Sequence, residues 1–548
     1  MEVDPSDQAK AAQACVACRK QKRRCDKAFP SCGLCVRMSR PCDYTDTNSS
    51  PSADDFAILQ QKITDLEARL EGRRSDFGWY EPIRSISKSP ATSLDSATLN
   101  DSSGFSSAAF FLDAEVFVQA QMSIPRLSFA VPSDVIAILG TSICDIHEIV
   151  DRYFANVHTW LPFISKKRME LTLSNPSLDL SADFALLLLS MKLIIQVPAG
   201  GPQSVRSPLY ALTKRYFATV ESSGLLSLHT LQADILVAAY EIGQAIYPAA
   251  YLTTGHCARM GHGLGLHDRT LAPQYSRKRM GSWAETEEAK RTWWATMLLD
   301  RRYVNSGAPG RPLATDDPSR RDVLPADDQM WDAGEMATGE PLYVSSPTNV
   351  IAGPFARTCQ ATHLLGRLIR LANDQLLDSP LRFTEAIHLF RTLQALANLL
   401  QGDAQQLPER YGTALALCCS ALLRLSDRFA CTETNGGNHT VEETEMQTLA
   451  ISGMKGTAAD ALQFSQLLML SMIASPAATS PLIGDCLYMA AATYAWLAHE
   501  SGLREMGEAY HQLRKSLETM NCRWAVASQY LGLLDKAKET LYPDCLLL

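Results

Sequence analysis

The chain has 548 residues, 46% hydrophobic and 20% charged, an ordinary globular composition that excludes a wholly disordered or fibrous protein. At about 150 residues per domain, this length suggests three or four domains. The formal net charge of −8 argues against a nucleic-acid binder until charge is counted by segment: Cys15 to Cys42 holds eight Lys/Arg and one acid, Asp26, for a local +7 against −15 elsewhere.

Residues 1–14 read as a polar tail without the charged-then-apolar run of a secretory leader. Residues 15–42 hold six cysteines: Cys15, Cys18, Cys25, Cys32, Cys35 and Cys42. Their spacers are two, six, six, two and six residues, a Cys pair followed by a single Cys, repeated once. In a reducing compartment so dense a group is metal-binding rather than disulfide-bonded. Six thiolates give two tetrahedral zinc ions four sulfurs each if two of them bridge both metals. Such sites leave no open position for water, so the metal is structural. A 28-residue segment has almost no core of its own, and metal binding would supply its folding energy. Arg19, Lys20, Lys22, Arg23 and Arg24 crowd the first six-residue spacer. A cationic helix pinned to a rigid cluster can enter the major groove, where lysine donates to guanine O6 and N7 and other basic residues hold phosphates. The same run fits a nuclear-import signal.

Residues 43–55 are a polar, turn-rich linker. Over 56–72, Phe56, Leu59, Ile63, Leu66 and Leu70 recur at three and four, an a/d seam for a short coiled-coil dimerisation helix. The bland alternative is a surface helix packed on the body, because two heptads alone are marginal. Residues 73–109 form a second linker. Nine of the 23 residues from Ser85 to Ser107 are Ser, too polar to offset the entropy of ordering.

From about 110 to 548 the chain reads as one large all-α domain, with breaks near 307–347 and 430–440. Helical stripes include Val150, Tyr153, Phe154, Val157 and Leu161; Trp294, Met297 and Leu298; and Leu365, Leu368, Ile369 and Ala372. The apolar run 184–197 is too short and too polar for a membrane span and reads as a buried helix. Nine further cysteines, Cys144 to Cys545, read as small buried hydrophobes. GHGLG, within 261–265, lacks dinucleotide-loop spacing and reads as helix-end glycines. His256, Cys257, His262 and His267 do not stack on one helix face as metal ligands would.

The block from Cys15 to Asp26, with Pro30 two residues before Cys32, the second Cys pair and Cys42, resembles the fungal binuclear zinc cluster transcription factors. The resemblance implies two zinc ions bridged by Cys15 and Cys32, with Cys18 and Cys25 completing one site and Cys35 and Cys42 the other. It also implies that Lys22, four residues after the second cysteine, reads a CGG triplet in double-stranded DNA. Gln21 stands where the family often carries Arg or Lys. A short coiled coil after the linker implies a homodimer, whose second half-site supplies specificity that one cluster lacks.

Three body segments resemble the family's helical regulatory domain over about 147–320: Tyr153 to Phe163, Gly261 to His267, and Arg291 to Arg301 with Gly310, Arg311 and Pro312. The expectation is therefore a mostly α, nuclear RNA polymerase II transcription factor and not an enzyme. Its further partners would be coactivators or the transcription machinery and a small-molecule effector, without membrane attachment. Family habit favours an activator, for example of a secondary-metabolite cluster, over a repressor. The competing readings are an enzyme with a zinc-cluster appendage and an adaptor whose head binds protein or RNA. Phe29 is the one aromatic between Cys15 and Cys42, which disfavours RNA stacking.

Overall fold

The computed structural model describes residues 11, 13–20, 25–38, 40–44, 108–120, 122, 129–140, 142–175, 180–197, 205–267, 282–306, 310–336, 340–347, 350–374, 379–430, 440–543 and 545. Two compact units emerge, Met1–Ala97 and Thr98–Leu548. The proposed dimerisation residues Phe56, Leu59, Ile63, Leu66 and Leu70 lie outside the described residues, as do Lys22, Arg23 and Arg24 and most of both linkers.

The first unit holds two short helices, α1 (Val16–Lys20) and α2 (Gly33–Arg37). Each starts directly after a cysteine that has a second cysteine three residues on, so the sequence repeat becomes a structural repeat. Cys32 caps α2 with its sulfur, which accepts the N–H of Cys35 at 3.4 Å. The ends of the segment are tied together where Val16 N–H donates to Asp43 O at 2.8 Å.

The second unit is helical, and its core is one continuous apolar cluster. Among the described residues of this unit the extended pairing is an isolated bridge between Val323 and Tyr343. Its first half holds α3 (Ala114–Gln119), α4 (Ser133–Leu139), α5 (Ile143–Asn156), α6 (Lys166–Leu173), α7 (Ala182–Ile195), α8 (Pro208–Ser222), α9 (Leu228–Gly243) and α10 (Ala249–Gly263). α5 opens with a capping box, Ser142 and Asp145 each accepting the other's backbone N–H. Serine caps also start α8, with Pro208 at its first position, and α9. α7 carries the apolar run and is buried on nearly every side, with α5, α8 and α9 packed around it. That is why its sequence shows no polar stripe.

The second half holds α11 (Trp283–Ser306), α12 (Asp328–Ala333), α13 (Pro354–Asn373), α14 (Ser379–Gln406), α15 (Pro408–Ala430), α16 (Val441–Ala474), α17 (Gly484–Ser501), α18 (Arg504–Asn521) and α19 (Val526–Leu541). α15 is central here, flanked by α13, α14, α16 and α17. α11 joins the halves by packing on α9, α10 and α13. A close approach locks them as well. A Cβ on Gly243, at the end of α9, would lie 2.3 Å from the Trp524 ring, so only glycine fits. The Trp524 indole N–H donates to Thr479 O at 2.7 Å, and Gln244 donates to Arg523 O at 3.1 Å. No helix among the described residues is long and apolar enough to cross a membrane.

One sequence expectation is corrected here. Cys144 and Cys522 are exposed rather than buried, because Cys144 sits in the first turn of α5 and Cys522 caps α18. The stretch after residue 309 is held against α11. Asp300 accepts N–H from Ala314 and Thr315, and Arg301 donates to Thr315 Oγ1 at 2.6 Å and Asp316 O at 2.9 Å. α10 ends at Gly263, and Gly265 beyond it takes φ +69°, the helix-end role read for GHGLG.

Candidate metal centre

Cys15, Cys18, Cys32 and Cys35 are buried, and their sulfurs lie within 4.8 Å of one another. Cys15 and Cys32 Sγ are 3.8 Å apart, Cys15 and Cys35 3.6 Å, and Cys18 and Cys32 3.8 Å. Four sulfurs at about 2.3 Å from a tetrahedral zinc ion are about 3.8 Å apart. The observed spacings match the edges such tetrahedra would have, and the donor set fits the metal. Cys25 lies within the same reach of Cys32 and Asp26. Cys42 joins through its sulfur, which accepts Cys32 N–H at 3.3 Å. All six predicted cysteines thus converge, with Cys32 neighbouring most of the others.

The surrounding groups act unequally on the sulfurs. Arg40, on the loop after α2, donates from Nε to Cys35 Sγ at 3.3 Å and from Nη2 to Cys18 Sγ at 3.6 Å. That contact, above all, draws the Cys35 thiol down to about 7, whereas desolvation pushes Cys32 up to about 12. Zinc must therefore displace protons to bind, and it supplies folding energy and no open coordination site. Asp26 accepts Gly33 N–H at 2.9 Å, and Tyr44 donates to Ala28 O at 2.9 Å, closing the segment around the sulfurs.

Sequence reading missed Arg40 and Tyr44. The only signal was a basic residue in the last spacer and an aromatic just past Cys42. Of the predicted DNA-contacting residues, Arg19 and Lys20 fall in the last turn of α1, and the remainder lie outside the described residues.

The body's histidine cluster does not gather into a metal site. His256 is held by Asp234 at 2.8 Å and Glu221 at 2.9 Å, and Cys257 donates to Asp234 at 3.2 Å. His262 and His267 instead pack edge-on with ring centroids 4.8 Å apart, beside Trp293. Among the described residues, the groups with metal-ligand spacing all lie in the first unit.

Residues 13–51 match the model of the fungal Zn(2)-Cys(6) binuclear cluster domain, and residues 150–400 match that of the fungal specific transcription factor domain. The transcription factor BOA15 of Botryotinia fuckeliana is 41% identical over 185 residues, covering 33% of this chain and 98% of that protein. The chain belongs to the fungal binuclear zinc cluster transcription factors. Its head is the family's two-zinc domain, and its helical body contains the fungal specific domain. Family and relatives are transcription factors, not enzymes.

Among the more distant relatives, the citrinin biosynthesis transcriptional activator mrl3 of Monascus ruber is 24% identical, covering 60% of this chain and 66% of that protein. The depudecin biosynthesis cluster-specific transcription activator DEP6 of Fusarium langsethiae is also 24% identical, covering 54% of this chain and 57% of that protein. The chain thus spans somewhat over half the length of these two.

Two of the three body segments singled out in the sequence build internal polar contacts. Arg291 is fully buried and donates to Glu287, Pro162 O, Ala326 O and Asp328, with Trp331 stacked 4.0 Å from its guanidinium. His158 meets Asp332 at 2.9 Å. These residues fix loops onto helices.

Proposed function

We propose that this protein is a nuclear activator that reads CGG-type half-sites in double-stranded DNA as a homodimer. Cys15 and Cys32 bridge two zinc ions; Cys18 and Cys25 complete one site, and Cys35 and Cys42 the other. Lys22 donates to guanine in the major groove, while Arg19, Lys20, Arg23 and Arg24 hold phosphates and set register. The seam Phe56, Leu59, Ile63, Leu66 and Leu70 pairs two copies. Coactivators, and a small-molecule effector acting on the helical domain, complete the partners. The target is a pathway-specific biosynthetic gene set, as the names of the mrl3 and DEP6 relatives say of those proteins.

The observation that carries this reading is the packing of the cysteine sulfurs at zinc-tetrahedron spacing directly beneath a helix that bears Arg19 and Lys20. The decisive experiment is binding-site selection from random duplex DNA with the full zinc-loaded chain, repeated with a chelator. Paired CGG triplets at one spacing, abolished by chelation, are the expected result. Single triplets would overturn dimerisation through 56–72. No enrichment by zinc-loaded protein would overturn DNA reading and leave the adaptor.

A further inference from the structure

We infer that Arg40 is a positioning residue that clamps the two halves of the zinc cluster together and slows loss of metal. The inference rests on the ligand assignment proposed above. The Arg40 backbone N–H donates to Cys35 O at 3.1 Å, and Pro41 follows, so the residue is fixed close to the sulfurs. Its side chain folds back onto Cys35 through Nε, at 3.3 Å, and reaches Cys18 through Nη2, at 3.6 Å. Those two cysteines lie 17 positions apart in the chain and complete different zinc sites.

The chemistry favours this placement. Six thiolates around two divalent ions leave the cluster with net negative charge. The two bridging thiolates share their charge between two metals, and the terminal ones do not. Cys18 and Cys35 are terminal, and one guanidinium neutralises both. Charge-assisted N–H···S bonds hold the two terminal sulfurs in place and offset their charge, so opening of the cluster, and with it metal release, becomes harder. The planar fork is required, because an ammonium is a single point charge that serves one sulfur at a time.

The test compares zinc release from the full-length chain to a coloured chelator. Arg40→Ala should release zinc on the order of 10-fold faster, the usual scale for losing an outer-shell partner. Arg40→Lys should recover little of the loss, and Arg37→Ala, on the exposed last turn of α2, should match the wild type. Equal release from Arg40→Ala and wild type overturns the clamp. If Arg40→Ala retains no metal on purification, Arg40→Lys carries the comparison. Cobalt substitution gives an independent reading: loss of the N–H···S donors should shift the sulfur-to-cobalt charge-transfer band. Faster release with an unmoved band would mean mere packing and overturn the proposal. Weaker DNA binding with unchanged release would mark a phosphate contact instead, also overturning it. A wild-type stoichiometry other than two would sink the ligand assignment and leave the Arg40 contacts to be read separately.

Discussion

Arg291 and Asp328 form a buried ion pair, Nη1 to Oδ1 2.6 Å, that ties the long helix α11 to the short helix α12. The same arginine holds Glu287 and two backbone carbonyls, so its charge is matched on every side. Removing it leaves Asp328 without its cation in the core, while Glu287 keeps Lys290, and breaking such a buried pair costs about 3–5 kcal/mol. Arg291→Met should therefore lower the urea midpoint of the helical signal sharply while leaving two zinc ions bound. Arg291→Lys should rescue only part of the loss, because one ammonium cannot serve four acceptors in fixed directions.

Cys32→Ala and Cys42→Ala should differ in metal content. Under the proposed assignment a bridging thiolate serves both metals and a terminal one serves a single metal. Native mass spectrometry of the full chain should show loss of both ions for Cys32→Ala and retention of one for Cys42→Ala. Identical losses would reject the bridging role of Cys32.

Lys22→Ala should abolish the preference for CGG and keep zinc at wild-type stoichiometry. One good base contact is worth about 1–3 kcal/mol of discrimination. A competition assay between CGG-containing and scrambled duplexes reads this directly. Unchanged discrimination would transfer base reading to another residue of the run from Arg19 to Arg24.

His256 gives the body a pH dependence. Both its ring nitrogens meet carboxylates, Asp234 on α9 and Glu221 on α8, and Cys257 also bonds to Asp234. The hydrogen bond that Asp234 accepts is the main cause that raises the imidazole above its ordinary value. A raised pKa in the folded state means that protonation favours folding. The contribution is complete below about 6.5, the unfolded value, and fades as pH climbs through the raised folded value. Stability of the wild type should fall over that window relative to His256→Gln. Parallel pH profiles of the two proteins in denaturant titrations would reject the assignment.

Much of the architecture was legible because its determinants are local. The cysteine spacing pointed to six thiolates gathered for two metals, and the apolar run within 184–197 announced a helix buried all round. The expected helical stripes appear as buried faces, with Tyr153, Val157 and Leu161 fully enclosed. Long-range polar chemistry was not legible. Arg291 finds acceptors 37 and 129 positions away, and no pattern in the chain marks that pairing. Arg40 reads as one more basic residue until the fold brings it against Cys18. Cys144 and Cys522 look like the other body cysteines, but their helix-end positions face solvent, which only the helix boundaries decide.

The contact of Gly243 with Trp524 bears on how this protein can be dissected. The region shared with the family's helical domain stops at residue 400, yet the surface that seals the end of α9 arrives over a hundred residues later. A fragment cut at that limit would uncover the Gly243 backbone and lose the hydrogen bonds of Gln244 with Arg523 and Ala525. The recognisable domain is a unit of ancestry rather than a unit of folding, and the C-terminal third, which carries no motif, is part of its scaffold.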